Sequence, residues 1–369
     1  MARRGLTEAR ALSSVSMKNP QPISWKHLLG YSLVSAGIGV LVLVAVLLGQ
    51  YHDFREAPLN IPEAGVVYEI AAGTSLGQLA YDLQRRGITG HPHYLIWLGR
   101  EMDLAHRLQA GEYEITPGMT PESLLRKLAG GEVIQHVITL IEGQTFQEML
   151  TLIKARDDIV HTLNGVGVDE FMARLGHEGE NPEGRFLPDT YHFPRGTTDL
   201  ALLARVYSAM EHHLAEAWEA RDEGLPFNSP YEALTLASIV EKETGLPGER
   251  PIIAGVFIRR LQKGMRLQTD PTVIYGLGAR FDGNLRGIDL RTDTPYNTYT
   301  RDGLPPTPIA MPGAASIHAV LHPEKGDSLF FVANGNGGHY FSRTLKEHEH
   351  AVQKYQLGKP VSLPSSSTR

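Results

Sequence analysis

Glu241 and Glu243 are the acids around which chemistry can be argued in this sequence. They close the run Ser229-Pro230-Tyr231-Glu232-Ala233-Leu234-Thr235-Leu236-Ala237-Ser238-Ile239-Val240-Glu241-Lys242-Glu243-Thr244-Gly245. On a helical wheel of about 100° per residue, Ala233, Leu236, Ala237, Ile239, Val240 and Thr244 share one face. Glu241 falls between Ala237 and Leu234, on an apolar flank. Glu243 lies on the opposite flank beside Leu236, and Lys242 points away. A carboxyl group pressed against apolar side chains is disfavoured as an anion, so it keeps a proton toward neutrality, as a general acid must. The plainer reading sets both glutamates at the rim of a buried face, where they solvate it.

The element that must position them is a helix with marked ends. Ser229 is placed to cap it, Pro230 suits the first helical position, and Glu232 three residues after the cap completes a capping box. Gly245 is placed to close the other end in a left-handed conformation. A helix with Leu202, Leu203, Val206, Met210 and Leu214 on one face precedes it. Another, from about residue 249 to 263, carries Ile252, Ile253, Val256, Phe257 and Leu261 and ends at Gly264. Thr269 or Asp270 then caps a helix whose first residue is Pro271. The polar aromatic loop Tyr296-Asn297-Thr298-Tyr299-Thr300 follows, then rigid turns at Gly303-Leu304-Pro305-Pro306 and Met311-Pro312-Gly313. Residues 329–333 read as a strand leading through a Gly-rich turn to Tyr340-Phe341-Ser342.

Nearer the N-terminus a weak unit recurs: a short strand, a glycine, then a hydroxyl residue opening an amphipathic helix. It runs from Val66 through Gly73-Thr74-Ser75 to Leu76, Leu79, Ala80 and Leu83. It recurs from Tyr113 through Gly118-Met119-Thr120 to Leu124, Leu125 and Leu128, and from Val137 through Gly143-Gln144-Thr145 to Phe146, Met149, Leu150 and Ile153. Unequal spacing rules out a solenoid. Gly73-Thr74-Ser75-Leu76-Gly77 matches a nucleophile elbow, but Ser75 is equally a cap three residues before Gln78. Residues 155–185 read as helices and loops. Residues 186–194, Phe186 to Pro194, form an aromatic, turn-rich stretch that suits either a sugar-binding or a packed loop.

The 369 residues suffice for two to three domains. A net charge of −6 offers no basic field for nucleic acid, and the absence of cysteine excludes disulfides, thiolate zinc sites and a cysteine nucleophile. His348-Glu349-His350 suggests a metal, but positions i and i+2 do not share a helix face, and the run reads as solvated surface. Residues 28–48 contain no charge and, at about 1.5 Å per residue, span a hydrocarbon core of about 30 Å. Arg3, Arg4, Arg10, Lys18 and Lys26 precede them; Asp53, Arg55, Glu56 and Glu63 follow. The positive-inside rule puts the N-terminus in the cytoplasm. No small-x-small site follows the apolar run, so an uncleaved anchor is preferred to a signal peptide.

The residues that have accumulated resemble a known family, the membrane-anchored endolytic murein transglycosylases, over roughly residues 60 to 355. The likeness is densest in Ala237-Ser238-Ile239-Val240-Glu241-Lys242-Glu243-Thr244, in residues 264–276 from Gly264 to Gly276, and in Tyr296-Asn297-Thr298-Tyr299-Thr300 with Gly303-Leu304-Pro305-Pro306. It implies an α+β protein: a cytoplasmic basic tail (1–27), a transmembrane helix (28–48), a linker (49–64), a LysM-like module (65–135), a catalytic domain (136–357) and a disordered tail (358–369).

The resemblance places the catalytic acid on Glu241 and argues that Glu243 either supports that acid without touching substrate or is structural. It implies that Glu241 protonates the bond between N-acetylmuramic acid and N-acetylglucosamine, then takes the proton of the muramoyl C6 hydroxyl as a 1,6-anhydro ring closes. No cofactor or metal is implied. The implied partners are peptidoglycan glycan strands, peptidoglycan synthases and the inner membrane. Gln268, Thr269, Asp270, Tyr275, Tyr296, Asn297 and Tyr299 are candidate glycan contacts, since sugars need planar hydrogen bonders and aromatic faces. Each also has a structural reading, Asp270 as a cap and the tyrosines as packing.

Overall fold

The computed structural model describes residues 25–358. Residues 1–24 of the expected basic tail and 359–369 of the expected C-terminal tail lie outside them. The fold is mixed, helices and short strands, and divides into two compact units between Glu132 and Val133.

In the first unit α1 (Trp25–Glu56) is one helix of 32 residues. Within Leu29–Glu56 an 18-residue window has a mean hydropathy of 2.5 and none of that window is buried, so the helix is long and apolar enough to cross a membrane. Helix continues through residues 49–56, where a linker was expected. The reason is packing: Tyr51 stacks on Trp97 with ring centroids 4.3 Å apart, and Arg55 Nε lies 2.7 Å from Glu122 Oε2. Strands β1 (Val66–Ile70) and β2 (Gly111–Ile115) pair antiparallel, Val66 opposite Ile115 and Ile70 opposite Gly111. Helices α2 (Leu76–Arg85) and α3 (Pro92–Glu101) lie between them in sequence, and α4 (Pro121–Gly130) follows. The first two recurring units thus form one sheet, while α3 was not foreseen. Leu76, Leu79, Ala80 and Leu83 are all buried, as their spacing required. Ser75 forms a capping box with Gln78, its hydroxyl bonded to that side chain.

The second unit begins with β3 (Gln135–Thr139) and α5 (Phe146–Lys154), followed by α6 (Val168–Leu175) and β4 (Thr190–Pro194). Strand β4 pairs antiparallel with β3, Thr139 opposite Thr190. The stretch read as an aromatic loop is therefore partly strand. Phe186 and Phe193 are fully buried, with Phe186 stacked 5.5 Å from Phe146, so these two rings pack a core rather than face a ligand.

Helices α7 (Asp199–Glu219), α9 (Arg250–Gln262), α10 (Asp270–Leu277) and α11 (Ala314–Leu321) surround α8 (Pro230–Glu243). Every residue of α8 from Ala233 to Val240 is buried, so this is a core helix closed on all sides rather than an amphipathic one. Each large apolar side chain there contributes about 1.5–3 kcal/mol. The polar residue Ser238 is tolerated because its hydroxyl donates to Thr235 O at 2.7 Å and accepts from Ile309 N at 2.9 Å. Strands β5 (Phe330–Ala333) and β6 (His339–Ser342) pair antiparallel and pack with α12 (Leu345–Tyr355).

The α8 caps differ from expectation. The Ser229 hydroxyl accepts from Glu232 N, but the Glu232 carboxylate bonds Asn228 N at 2.7 Å instead of closing a box. At the other end the cap is Thr244 in an extended conformation, and Gly245 is not left-handed. The Thr244 hydroxyl bonds Glu249 at 3.1 Å, which turns the chain into α9 without a left-handed residue.

Candidate functional site

Glu241 sits in the last turn of α8 with its side chain 6% exposed. Gly313, at the start of α11, donates its N–H to Glu241 Oε2 at 3.0 Å. Arg250, in the first turn of α9, brings Nη2 to 3.3 Å from Oε1. Both oxygens therefore have donors, one of them charged, where the sequence suggested apolar surroundings. A cation and a backbone N–H stabilise the carboxylate left when an acid gives up its proton.

The same Arg250 nitrogen lies 3.7 Å from Glu142 Oε2. Glu142 precedes Gly143 in the turn between β3 and α5, and Lys242 donates from Nζ to Gly143 O at 3.0 Å. Gly143 has φ +76°, a region that glycine enters without strain. Burial, and secondarily the charge of Glu241, push the Glu142 carboxyl above the usual carboxylate range.

Glu243 meets a different neighbourhood. The Thr269 hydroxyl donates to its Oε1, and burial outweighs that bond to push its carboxyl up. With Gln268, Thr269, Asp270, Tyr299 and His339 it lines a cavity of about 460 Å³ of which Glu241 is not part. Within this wall Thr269 is buried, and its hydroxyl serves Glu243 rather than capping α10. Asp270 is the first residue of α10, with Pro271 after it, and its carboxylate accepts from the Tyr299 hydroxyl at 2.6 Å instead of capping. Gln268 is exposed with φ +51°, a strained conformation for a residue with a side chain.

The other expected contacts lie elsewhere. Asn297 is fully buried, its amide donating to Asp289 O, Leu290 O and Thr292 O and its Oδ1 accepting from Tyr299 N. It holds the loop and turns no atom outward. Tyr275 and Tyr296 meet edge to face with centroids 4.9 Å apart. The Tyr296 hydroxyl lies 2.9 Å from Thr307 Oγ1, and the Tyr275 hydroxyl donates to Glu183 Oε2 at 3.0 Å. Glu183, unanticipated from sequence, is 5% exposed, accepts from Phe146 N at 2.9 Å and is pushed by burial up to about 7.

Among the described residues no cluster of His, Asp and Glu is arranged to hold a metal ion. His348 is half-buried in α12 and stacks 5.3 Å from Phe330, which draws it out of the solvated run expected there.

Comparison with known proteins agrees with this architecture. The YceG-like family matches residues 68–354. An endolytic murein transglycosylase of Bacillus subtilis (strain 168) is 32% identical over 310 residues, covering 78% of this chain and 83% of that protein. One from Streptococcus pneumoniae (strain D39) is 26% identical over 328 residues, covering 79% of this chain and 58% of that longer protein. Among solved structures, a yceG-like protein from Listeria monocytogenes superposes with a TM-score of 0.51 at 30% identity, covering 78% of this chain and 99% of that one. The chain belongs to the YceG-like family.

Proposed function

We propose that this chain is an endolytic murein transglycosylase, a lyase that cuts the bond between N-acetylmuramic acid and N-acetylglucosamine within glycan strands and leaves 1,6-anhydro ends. Glu241 supplies the proton to the bridging oxygen. The observation that carries this reading is the pair of donors on its oxygens, Arg250 Nη2 and Gly313 N, which stabilise the carboxylate formed as the proton leaves. The names of the Bacillus and Streptococcus relatives support the same substrate.

The helix at Leu29–Glu56 anchors the protein in the inner membrane with its N-terminus in the cytoplasm, a reading supported by the basic residues before it. The chain beyond that helix then acts on peptidoglycan outside, where the enzyme ends nascent strands beside peptidoglycan synthases. Residues 65–135 are a LysM-like module in this reading. Gln268, Asp270 and Tyr299 offer polar and aromatic contacts to sugar from the cavity they line, while Tyr275 and Tyr296 offer theirs beside Glu183.

Mass spectrometry of fragments released from purified peptidoglycan tests the chemistry. Lytic cleavage gives anhydro-ended products. A set of reducing-end products, each heavier by one water, would mean hydrolysis and overturn the proposal.

A further inference from the structure

Glu142 is a carboxyl that the reading above leaves unused. Its Oε2 and Glu241 Oε1 face the same Arg250 nitrogen at 3.7 and 3.3 Å. The two oxygens thus lie no farther apart than those distances laid end to end. Carboxylate pairs that cleave glycosidic bonds stand about 5–9.5 Å apart. The turn carrying Glu142 is fixed in place. Gly143 N donates to Met311 O at 2.9 Å, Met311 N to Gln144 O at 2.8 Å, and Lys242 Nζ to Gly143 O. Gly313 completes the fit, because a β-carbon there would overlap the Glu142 carboxyl while its N–H holds Glu241. The Glu142 side chain is 45% exposed and that of Glu241 only 6%, so one acid is enclosed and its neighbour is open to an incoming molecule.

We propose that Glu142 is a second catalytic residue of this site, the base that takes the proton of the muramoyl C6 hydroxyl while Glu241 acts as the acid. The proposal rests on the reading of Glu241 as proton donor, and divides between two carboxyls what one would otherwise do in turn. The Glu241 proton passes to the bridging oxygen, whose bond to the anomeric carbon breaks. The C6 oxygen bonds that carbon and its proton passes to Glu142. One acid ends ionised and the other protonated, solvent returns the proton, and no water is consumed.

The charged groups facing Glu142 are Glu241 from α8 and Arg250 from α9, with the Lys242 ammonium on the adjoining carbonyl. Burial raises the Glu142 carboxyl even while Glu241 holds its proton, which makes Glu142 a stronger base once ionised.

The test uses the full-length chain in detergent, assayed for anhydro-ended products from peptidoglycan across pH 4 to 9 (~5 units, spanning the usual carboxylate range). Glu142→Gln is expected to lower kcat about 100-fold or more, with KM little changed, and to erase the acidic limb of the kcat/KM profile. Glu142→Asp keeps that limb. Gly313→Ala, whose φ of −75° accepts alanine, displaces the Glu142 carboxyl and loses rate in parallel. Near-wild-type activity in Glu142→Gln would overturn the proposal. So would a loss equal at every pH with the bell shape intact, since that is the mark of scaffolding. Glu241→Gln run alongside separates the two assignments: activity surviving there removes the acid, whereas the acidic limb judges Glu142 alone.

Discussion

Glu241 and Glu243 are separated by one lysine on one helix, yet they meet opposite surroundings. Glu241 has a guanidinium and a backbone N–H on its oxygens, brought by residues 9 and 72 positions along the chain. Glu243 has a single threonine hydroxyl, and burial raises its carboxyl. The acid raised by burial, which the helical wheel assigned to Glu241, is realised at Glu243, although Asp270, His339 and Arg260 stand near it. What distinguishes Glu241 is the set of donors delivered by α9 and α11, which no wheel of α8 displays. Local apolarity can hold a proton in place, but stabilising the charge left behind requires groups aimed at the oxygens beforehand.

The contrast can be strained from either side. Arg250→Ala removes the cation from the Glu241 side and leaves two carboxyls facing each other. Activity should fall about 100-fold or more, by the measure of a lost charge-stabilising donor, in an initial-rate assay. Retention of rate would mean that the guanidinium is structural.

Glu183→Gln probes burial alone. The folded protein binds the Glu183 proton up to about pH 7, the unfolded chain only to about 4.5. The native state therefore holds more protons between those values, and Glu183 lowers stability as pH rises through that window, by at most about 3 kcal/mol. Thermal unfolding at pH 4.5 and at pH 7.5 or above (about 3 units, bracketing the usual and raised carboxyl values) should show wild type losing ground to the variant. A gap independent of pH would refute the cause given.

Thr269→Val, the counterpart on the Glu243 side, deprives that carboxyl of its donor. It should cost about 1–2 kcal/mol in denaturant unfolding and leave the rate within a few-fold. A large loss of rate would make Glu243 part of the chemistry.

Much of this site was legible because its signals are local. Ser229, Pro230 and the apolar run locate α8, and each recurring glycine announces a strand-to-helix turn. Glu142 had a signal as well. The residues before those glycines are Ala72, Pro117 and Glu142, so the third turn alone carries a charge. Arg250 and Gly313 gave none, because their meaning depends on α9 and α11 folding back onto the end of α8. Glu183 sits between Pro182 and Gly184 as any surface acid would, and only the tertiary fold buries it against Phe146 and Tyr275. Asn297 misled for a related reason: an amide in a polar loop suits a sugar and equally suits three carbonyls of its own chain. The strand at Thr190–Pro194 was hidden by Pro194 and by Pro188 just before it until β3 supplied a partner.

The proposed proton donor of this site is Glu241, and a side-by-side rate measurement of Glu241→Gln and Glu243→Gln tests that role most directly. Release of anhydro-ended fragments should fall by about 10³-fold or more in the first, within the range for losing a general acid together with the charge its donors stabilise. The second, whose amide still accepts from Thr269, should keep most of its activity. The reverse pattern, with Glu241→Gln active and Glu243→Gln dead, would move the chemistry to the other flank of α8 and contradict the account.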